Sequence, residues 1–486
     1  MAKQKSLKKN FIMNAILTMS SFLFPLITFP YISRILLPVG TGKVSFATSL
    51  ISYFSILAQL GVPTYGIRAC AKVRDDRKKL TQTAHELLLI NLSMSLVSYA
   101  VLAIVLLTVP KLQEDRILYI IVSMSLILNA IGMEWLYKAL EQYTYITIRS
   151  IIFKFFALIG MFLFIHSKED YIIYGALTIF AGSASNIFNF INVHKYIDMK
   201  PIGNYHLKQH IKGVSIFFAM ACAATIYTHL DTVMLGFLKT DDDVGYYNAA
   251  VKIKGILVSI VTSLGTVLLP RASYYIEHNL HDEFKKISAK ALNFVFLLAS
   301  PLMLYFILFA KQGIYFLSGD AYSGSILPMQ IIMPTLLFIG TTNILGIQIL
   351  VPLGREKIVL YSEIAGAITD LTLNALLIPK YASSGAAIGT VVAEFIVFLV
   401  QFFSLRNEVI PALKKIQYYK IILGMLLGTI ACIWVPKLGQ GNFITLFISA
   451  CLFFAVYGST LLILKEPLTQ QITQQLLSKL KNNKNI

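Results

Sequence analysis

Long apolar runs separated by short polar breaks recur from residue 11 to residue 464. Each run is close to the roughly 20 residues that a helix needs to cross the ~30 Å hydrocarbon layer of a bilayer. The pattern predicts an all-α polytopic membrane protein of about fourteen transmembrane helices. Their cores lie near 11–37, 44–65, 84–109, 117–137, 144–165, 171–193, 211–237, 244–269, 289–310, 325–348, 358–378, 385–405, 419–436 and 443–464. The first run follows the basic stretch "MAKQKSLKKN" but continues without a small-residue cleavage site, which predicts a retained helix rather than a signal peptide.

The breaks echo each other in the two halves. "WLYKALEQYTYITI" (Trp135 to Ile148) stands between spans 4 and 5, and "ILVPLGREKIVLY" (Ile349 to Tyr361) between spans 10 and 11. "LPVGTGKVSFA" leads span 1 into span 2, and "KTDDDVGYYNAA" leads span 7 into span 8. These offsets predict two six-span lobes, 1–205 and 206–406, followed by spans 13 and 14 with a tail in 407–486. Six spans per copy keep both copies in the same orientation, the parallel-repeat plan by which some transporters rock two lobes around a midplane site.

Polar residues inside the runs fall at helical spacing, where steps of three and four share a face. Span 8 carries Asn248, Lys252, Gly255 and Ser259 on one stripe, with Lys254 on the opposite side. Span 5 carries Thr147, Ser150 and Lys154; span 2 carries Ser45, Ser49, Ser52 and Gln59. Glu363, Asp370 and Asn374 line span 11, Thr390, Glu394 and Gln401 span 12, and Tyr227 and Asp231 span 7. Arg34 closes span 1 beyond Pro25 and Pro30, and Arg271 follows span 8. Small polar residues commonly pack helix against helix. A charge near the bilayer centre costs about 2.5–3.5 kcal/mol on insertion scales and marks a substrate or ion path by default. Lys154, Lys252, Asp370 and Glu394 are such charges, and the competing reading for each is a structural ion pair. For Arg34, Arg271, Lys43 and Glu134 the competing reading is pairing or snorkelling at the interface.

Composition narrows the class. The 486 residues are 56% hydrophobic and 14% charged, against about 25% charged in soluble proteins. The net charge of +18 does not form a patch. Of the 42 basic residues, Lys154, Lys252 and Lys254 lie within spans, 30 fall in the N-terminus, the even-numbered loops and the C-terminus, and only 9 in the odd-numbered loops. The positive-inside rule then places both termini in the cytoplasm, and a nucleic-acid-binding surface is excluded. The four cysteines are isolated and no histidines cluster at metal-ligand spacing, so no metal or cofactor is expected. "VGTGKVS" (Val39 to Ser45) imitates a phosphate-binding loop, but Leu37 replaces its first glycine and Val44 its Ser/Thr. Neither ATP-driven transport nor catalysis is expected; the short outer loops leave no room for the catalytic residues of a membrane polysaccharide polymerase.

Four stretches carry a family resemblance: "FPYISRILLPVGTGKVSFA" (Phe29 to Ala47), "EWLYKALEQYTYITIRS" (Glu134 to Ser150), "HLDTVMLGFLKTDDDVGYYNAAVKI" (His229 to Ile253) and "LIPKYASSGAAIGTVVAE" (Leu377 to Glu394). In that order they resemble the Wzx-type polysaccharide flippases, the polysaccharide transporter branch of the MOP exporter superfamily. The resemblance implies a V-shaped, MATE-like pair of lobes in a bacterial cytoplasmic membrane. It also implies an undecaprenyl-pyrophosphate-linked oligosaccharide as substrate, for capsule, O-antigen or a similar polymer, with membrane lipids around it. On that reading Arg34, Lys154, Asn248, Lys252 and Arg271 are the candidate substrate contacts in a cationic lumen. Asp231, Lys254, Glu363, Asp370 and Glu394 are the candidates for charge pairing or for coupling to H+ or Na+. A polymerase and glycosyltransferases of the same pathway are the implied protein partners. A lipid II flippase and a multidrug exporter of the same superfamily are the alternatives.

Overall fold

The computed structural model describes residues 7–471, 473 and 474. Among them there are helices and turns but no strand. The helices used below are α1 (Leu7–Gln59), α2 (Val62–Lys72), α3 (Arg77–Thr108), α4 (Arg116–Gly132), α5 (Tyr143–Phe164), α6 (Tyr171–Ile179), α7 (Lys208–Leu238), α8 (Asp241–Glu277), α9 (His281–Leu308), α10 (Glu356–Ser404), α11 (Tyr418–Cys432) and α12 (Asn442–Ile463). Ten helices among the described residues are long and apolar enough to cross a membrane, or eleven if the pair Asp320–Ile332 and Thr335–Leu350, bent by 48°, is one span. α4 is a shorter apolar helix. Both chain termini lie outside the described residues.

Two of the ten are too long to be single crossings. α1 has 53 residues and α10 has 49, about 80 and 74 Å at 1.5 Å per residue. Each contains one residue with left-handed φ, Leu37 (φ 59°) in α1 and Ala382 (φ 48°) in α10. Non-glycine residues rarely adopt this region. α10 folds back on itself at that point. A Cβ on Gly385 would lie 2.5 Å from the Leu377 carbonyl oxygen, and one on Gly389 would lie 2.4 Å from Asn374 Oδ1. Gln401 Nε2 donates to Ser362 Oγ at 3.0 Å, across 39 residues. α1 reverses as well: Glu141 accepts from Asn10 at 3.3 Å and from Arg74 at 3.0 Å, so the chain returns past α2 to the end from which it set out.

The chain divides into two compact units, Met1–Gly245 and Tyr246–Ile486, with the division inside α8. α7 falls within the first of these units. In that unit the first arm of α1 and α5 run parallel in fixed register. Thr147 donates to the Met13 carbonyl, Lys154 to Ser20, and Tyr31 to the Ile165 carbonyl, each pair 134 residues apart. One end of the unit gathers Arg74, Glu141 and the Arg77–Asp198 ion pair at 2.8 Å. Asp76 caps α3 there; accepting from the Lys79 and Lys78 amides holds its carboxyl below the ordinary range. The opposite end gathers Lys43, Asp115 and Tyr171.

In the second unit α11 and α12 pack closely, with Gly424 and Gly428 facing Tyr457 and Phe453. They dock on α9 through Tyr457, which donates to the Leu297 carbonyl at 2.9 Å, and Tyr305, which donates to the Leu446 carbonyl at 2.8 Å. Spans 13 and 14 thus lie within the second unit.

Candidate functional site

Lys154 sits at the middle of α5, eleven residues after its first residue and ten before its last. Its amine donates to Ser20 Oγ at 2.8 Å and to Ser21 Oγ at 3.0 Å. Both serines donate their own protons to the Leu17 carbonyl, so their lone pairs face the amine. Around this point α1 and α5 line an open groove of about 400 Å³ whose walls include Met19, Leu23, Phe24, Ile27, Phe155 and Leu158. The nearest acidic neighbour, Glu134, is already held by Lys138 at 2.8 Å and Arg149 at 3.4 Å.

α8 presents two different faces. Ala249, Ala250, Ile253, Leu257 and Val261 are buried. Asn248, Lys252, Gly255 and Ser259 are half-buried, and a Cβ added to Gly255 would meet nothing within 4 Å. The expected stripe therefore lies on the less buried side of the helix. Lys254 is also half-buried and forms no ion pair among the described residues. Arg271 lies 19 residues beyond Lys252, about 28 Å along the helix. It is exposed and donates to the Tyr275 hydroxyl at 2.9 Å. Arg34 is exposed and donates to the Pro30 carbonyl one turn back. The candidate cations of each unit are thus spread along its helices rather than gathered in one pocket.

The acidic candidates separate into groups. Asp370 and Glu394 are buried on facing arms of α10, with Asp370 and Asn374 against Gly389. Glu363 is exposed. The seven-residue step had put Glu363 on the Asp370 face. The buried row instead steps by four through Ser362, Gly366, Asp370, Asn374 and Ile378, because the two arms meet along the i±4 ridge. The Tyr247 hydroxyl and Thr390 Oγ1 share a hydrogen bond of 2.9 Å, which ties this hairpin to α8. Asp231 is buried in α7.

Four further interactions join these helices. Arg149, 7% exposed, donates to the Ser185 carbonyl at 3.0 Å, just after the π-helical turn Phe180–Ala184. Glu86 is fully buried and accepts from the His206 amide, Gln209, His210 and Gln82, while His210 Nδ1 meets the Tyr65 hydroxyl. Lys43, in the stretch that imitates a phosphate-binding loop, pairs with Asp115 at 2.9 Å. The glycines beside Lys43 and Val244 serve packing: a Cβ on Gly42 would lie 1.9 Å from the Asp241 carbonyl oxygen, and one on Gly245 2.2 Å from that of Pro38. Two of the resemblance motifs therefore interlock backbone against backbone, an approach only glycine permits. Among the described residues no group of three His, Cys, Asp or Glu is placed to hold a metal.

Known proteins place this architecture. The polysaccharide biosynthesis protein family matches residues 7–276, and the MatE family matches 216–376. A protein of Escherichia coli (strain K12) named "Putative O-antigen transporter" is 24% identical over 405 residues, 83% of this chain and 97% of that protein. A protein of the same name from Shigella dysenteriae is 24% identical over 399 residues, 81% of this chain and 98% of its own length. In fold the chain is similar to the lipid II flippase MurJ in its inward closed conformation, with a TM-score of 0.73 at 17% identity, covering 93% of this chain and 98% of that one. The first family match spans more than half of the sequence: the chain belongs to the polysaccharide biosynthesis protein family, as a Wzx-type flippase of the MOP superfamily and a multi-pass membrane protein.

Proposed function

We propose that the protein carries an undecaprenyl-pyrophosphate-linked oligosaccharide from the cytoplasmic to the outer face of a bacterial cytoplasmic membrane by alternating access. The chain makes fourteen crossings on this reading, with α1 and α10 each counted as two and α4 and the bent pair as one each. The six-span lobes remain 1–205 and 206–406. Both termini are cytoplasmic, on the side that holds Arg74 and Arg77.

The observation that supports this reading most directly is Lys154, a mid-membrane amine whose protein partners are hydroxyls. Buried charges are ordinarily paired, and a pyrophosphate is an anion that must shed its hydration to cross. Lys154, Lys252 and Arg34 then provide charge for that anion, and Asn248 and the serines of α8 serve the sugars. Outward movement of an anion is favoured by about 2.3 kcal/mol per charge per 100 mV of membrane potential. Resetting the empty carrier draws on H+ or Na+ through Asp231, Asp370 or Glu394.

Purified protein in vesicles should translocate the lipid-linked oligosaccharide without ATP, faster under an outward-driving potential. A strict nucleotide requirement would sink the proposal. A second reading, lipid II as substrate, is favoured by the fold similarity alone; the same vesicles loaded with lipid II decide it. Sidedness is tested with cysteines in a background lacking native ones. Those at Lys168 to Asp170 should react with an impermeant thiol reagent from outside, and those at Asp75 to Lys78 should not; the reverse pattern inverts the topology.

A further inference from the structure

The cavity beside Lys154 differs from a sugar site. Its walls are apolar, and three of the lining residues, Met19, Ile27 and Phe155, are 59%, 55% and 57% exposed. Oligosaccharide recognition needs hydrogen-bonding groups, and here the polar atoms are confined to the amine and the adjoining serines. A lysine ammonium has three donors. Ser20 and Ser21 take two, and neither contributes negative charge. The third donor is left for an anion at the centre of an apolar trough. Of common chemistries, one has an anion joined directly to a long apolar chain: a phosphate or diphosphate ester of a lipid alcohol.

We propose that the trough between α1 and α5 seats the phosphate end of a single-chain isoprenyl diphosphate. Lys154 donates its third N–H to the phosphate bonded to the chain, and Met19, Leu23, Ile27 and Phe155 cover the first isoprene units. This rests on the lipid-linked substrate proposed above and deepens it, because it assigns the lipid's point of attachment to the first unit. The volume of about 400 Å³ is at the lower end of the roughly 300–1,000 Å³ typical of small-ligand pockets. The trough therefore holds the phosphate-proximal part of the chain and leaves the remainder in the bilayer. The positions flanking Lys154 act by shape and Lys154 by charge, so they fail differently when changed.

The test uses the full-length protein in nanodiscs and a photoreactive C20 isoprenyl diphosphate that carries no sugar. A C20 isoprenol with the same photoreactive group is the uncharged control. Cross-links of the diphosphate should map to the segments 16–27 and 151–158. Lys154→Met should lower that labelling at least fivefold and leave isoprenol labelling unchanged. Leu23→Trp, which fills the trough and retains the amine, should lower both; it keeps the test valid if Lys154→Met does not fold. A hundredfold excess of phosphatidylglycerol or of inorganic pyrophosphate should displace little of the probe. Displacement by phosphatidylglycerol would make this a general lipid-phosphate site, and displacement by pyrophosphate a free-anion site; either overturns the assignment. Labelling elsewhere, or labelling unaffected in folded Lys154→Met, also overturns it, whatever the transport assay gives. A wild-type protein labelled here that moves no lipid-linked oligosaccharide keeps the trough and overturns the functional reading instead.

Discussion

The α10 hairpin and the trough between α1 and α5 start from the same kind of sequence signal and reach opposite ends. Both are apolar runs interrupted by polar residues at helical spacing. In α10 the polar row of one arm meets the other arm, so that Asp370 and Asn374 face Gly389 and Ser362 meets Gln401. In the trough Lys154 meets two serines, and the rest of the lining is apolar. What separates them is the segment that lies opposite. A polar group matched by the facing helix is a structural joint, whereas one facing an open apolar channel is available to a ligand.

Substitutions that break joints should cost folded protein, and those at the trough should cost transport. The largest expected effect is at the most enclosed joint. Glu86→Leu leaves His210 and three other donors without their acceptor, and breaking such a buried pair costs about 3–5 kcal/mol. Loss of the cooperative melting transition in detergent is the readout; a melting temperature close to wild type would refute the claim that this knot holds the connection before α7. Next is Gly385→Ala, whose methyl would press on the Leu377 carbonyl. Overpacking of this kind costs about 1–3 kcal/mol, and a lower melting temperature with normal transport per folded molecule is expected.

The sharpest contrast pairs Lys154→Ala with Asp370→Leu. The lysine variant should fold normally and lose transport by roughly tenfold or more, about 1.4 kcal/mol in the barrier. The aspartate variant should lose folded yield, with Asp370→Asn closer to wild type. If the two phenotypes exchange, the distinction between joint and ligand site fails. The smallest effect belongs to Tyr247→Phe. Deleting one hydrogen bond between membrane helices costs about 0.6 kcal/mol on average, so a melting shift of a few degrees with unchanged transport is the expected result.

The fold was legible in the sequence to the extent that one helix decides its own fate. Apolar length gave the spans, and the stripe of Asn248, Lys252, Gly255 and Ser259 shares a face because 3.6-residue periodicity requires it. The exposure of Glu363 was not legible, since it depends on the four-residue ridge along which a second arm crosses. Nor was the joining of Lys154 to Ser20 and Ser21, which needs a register between helices 134 residues apart. The adjacent serines in a mid-membrane run were the only local hint. Arg149 was hidden for a related reason: its acceptor is a backbone carbonyl beside a π-helical turn, and backbone acceptors leave no mark in composition. Gly42 and Gly245 lie in two of the stretches that carry the resemblance, but their close approach to backbone could be seen only once the two turns were side by side.

The turn at Ala382 also bears on how the chain enters the membrane. The first arm of α10, inserted alone, would expose Asp370 and Asn374 to lipid, and an aspartate at mid-helix costs about 2.5–3.5 kcal/mol on the scale that governs translocon insertion. Paired with the second arm, the same residues face Gly389 instead. The unit that partitions from translocon to bilayer is therefore the hairpin, and α10 should integrate only after both arms have emerged from the ribosome. Nascent chains truncated at residue 380 should remain extractable by alkali while those extended to residue 404 and a short tether resist it; equal resistance of the two would show that the first arm needs no partner to enter.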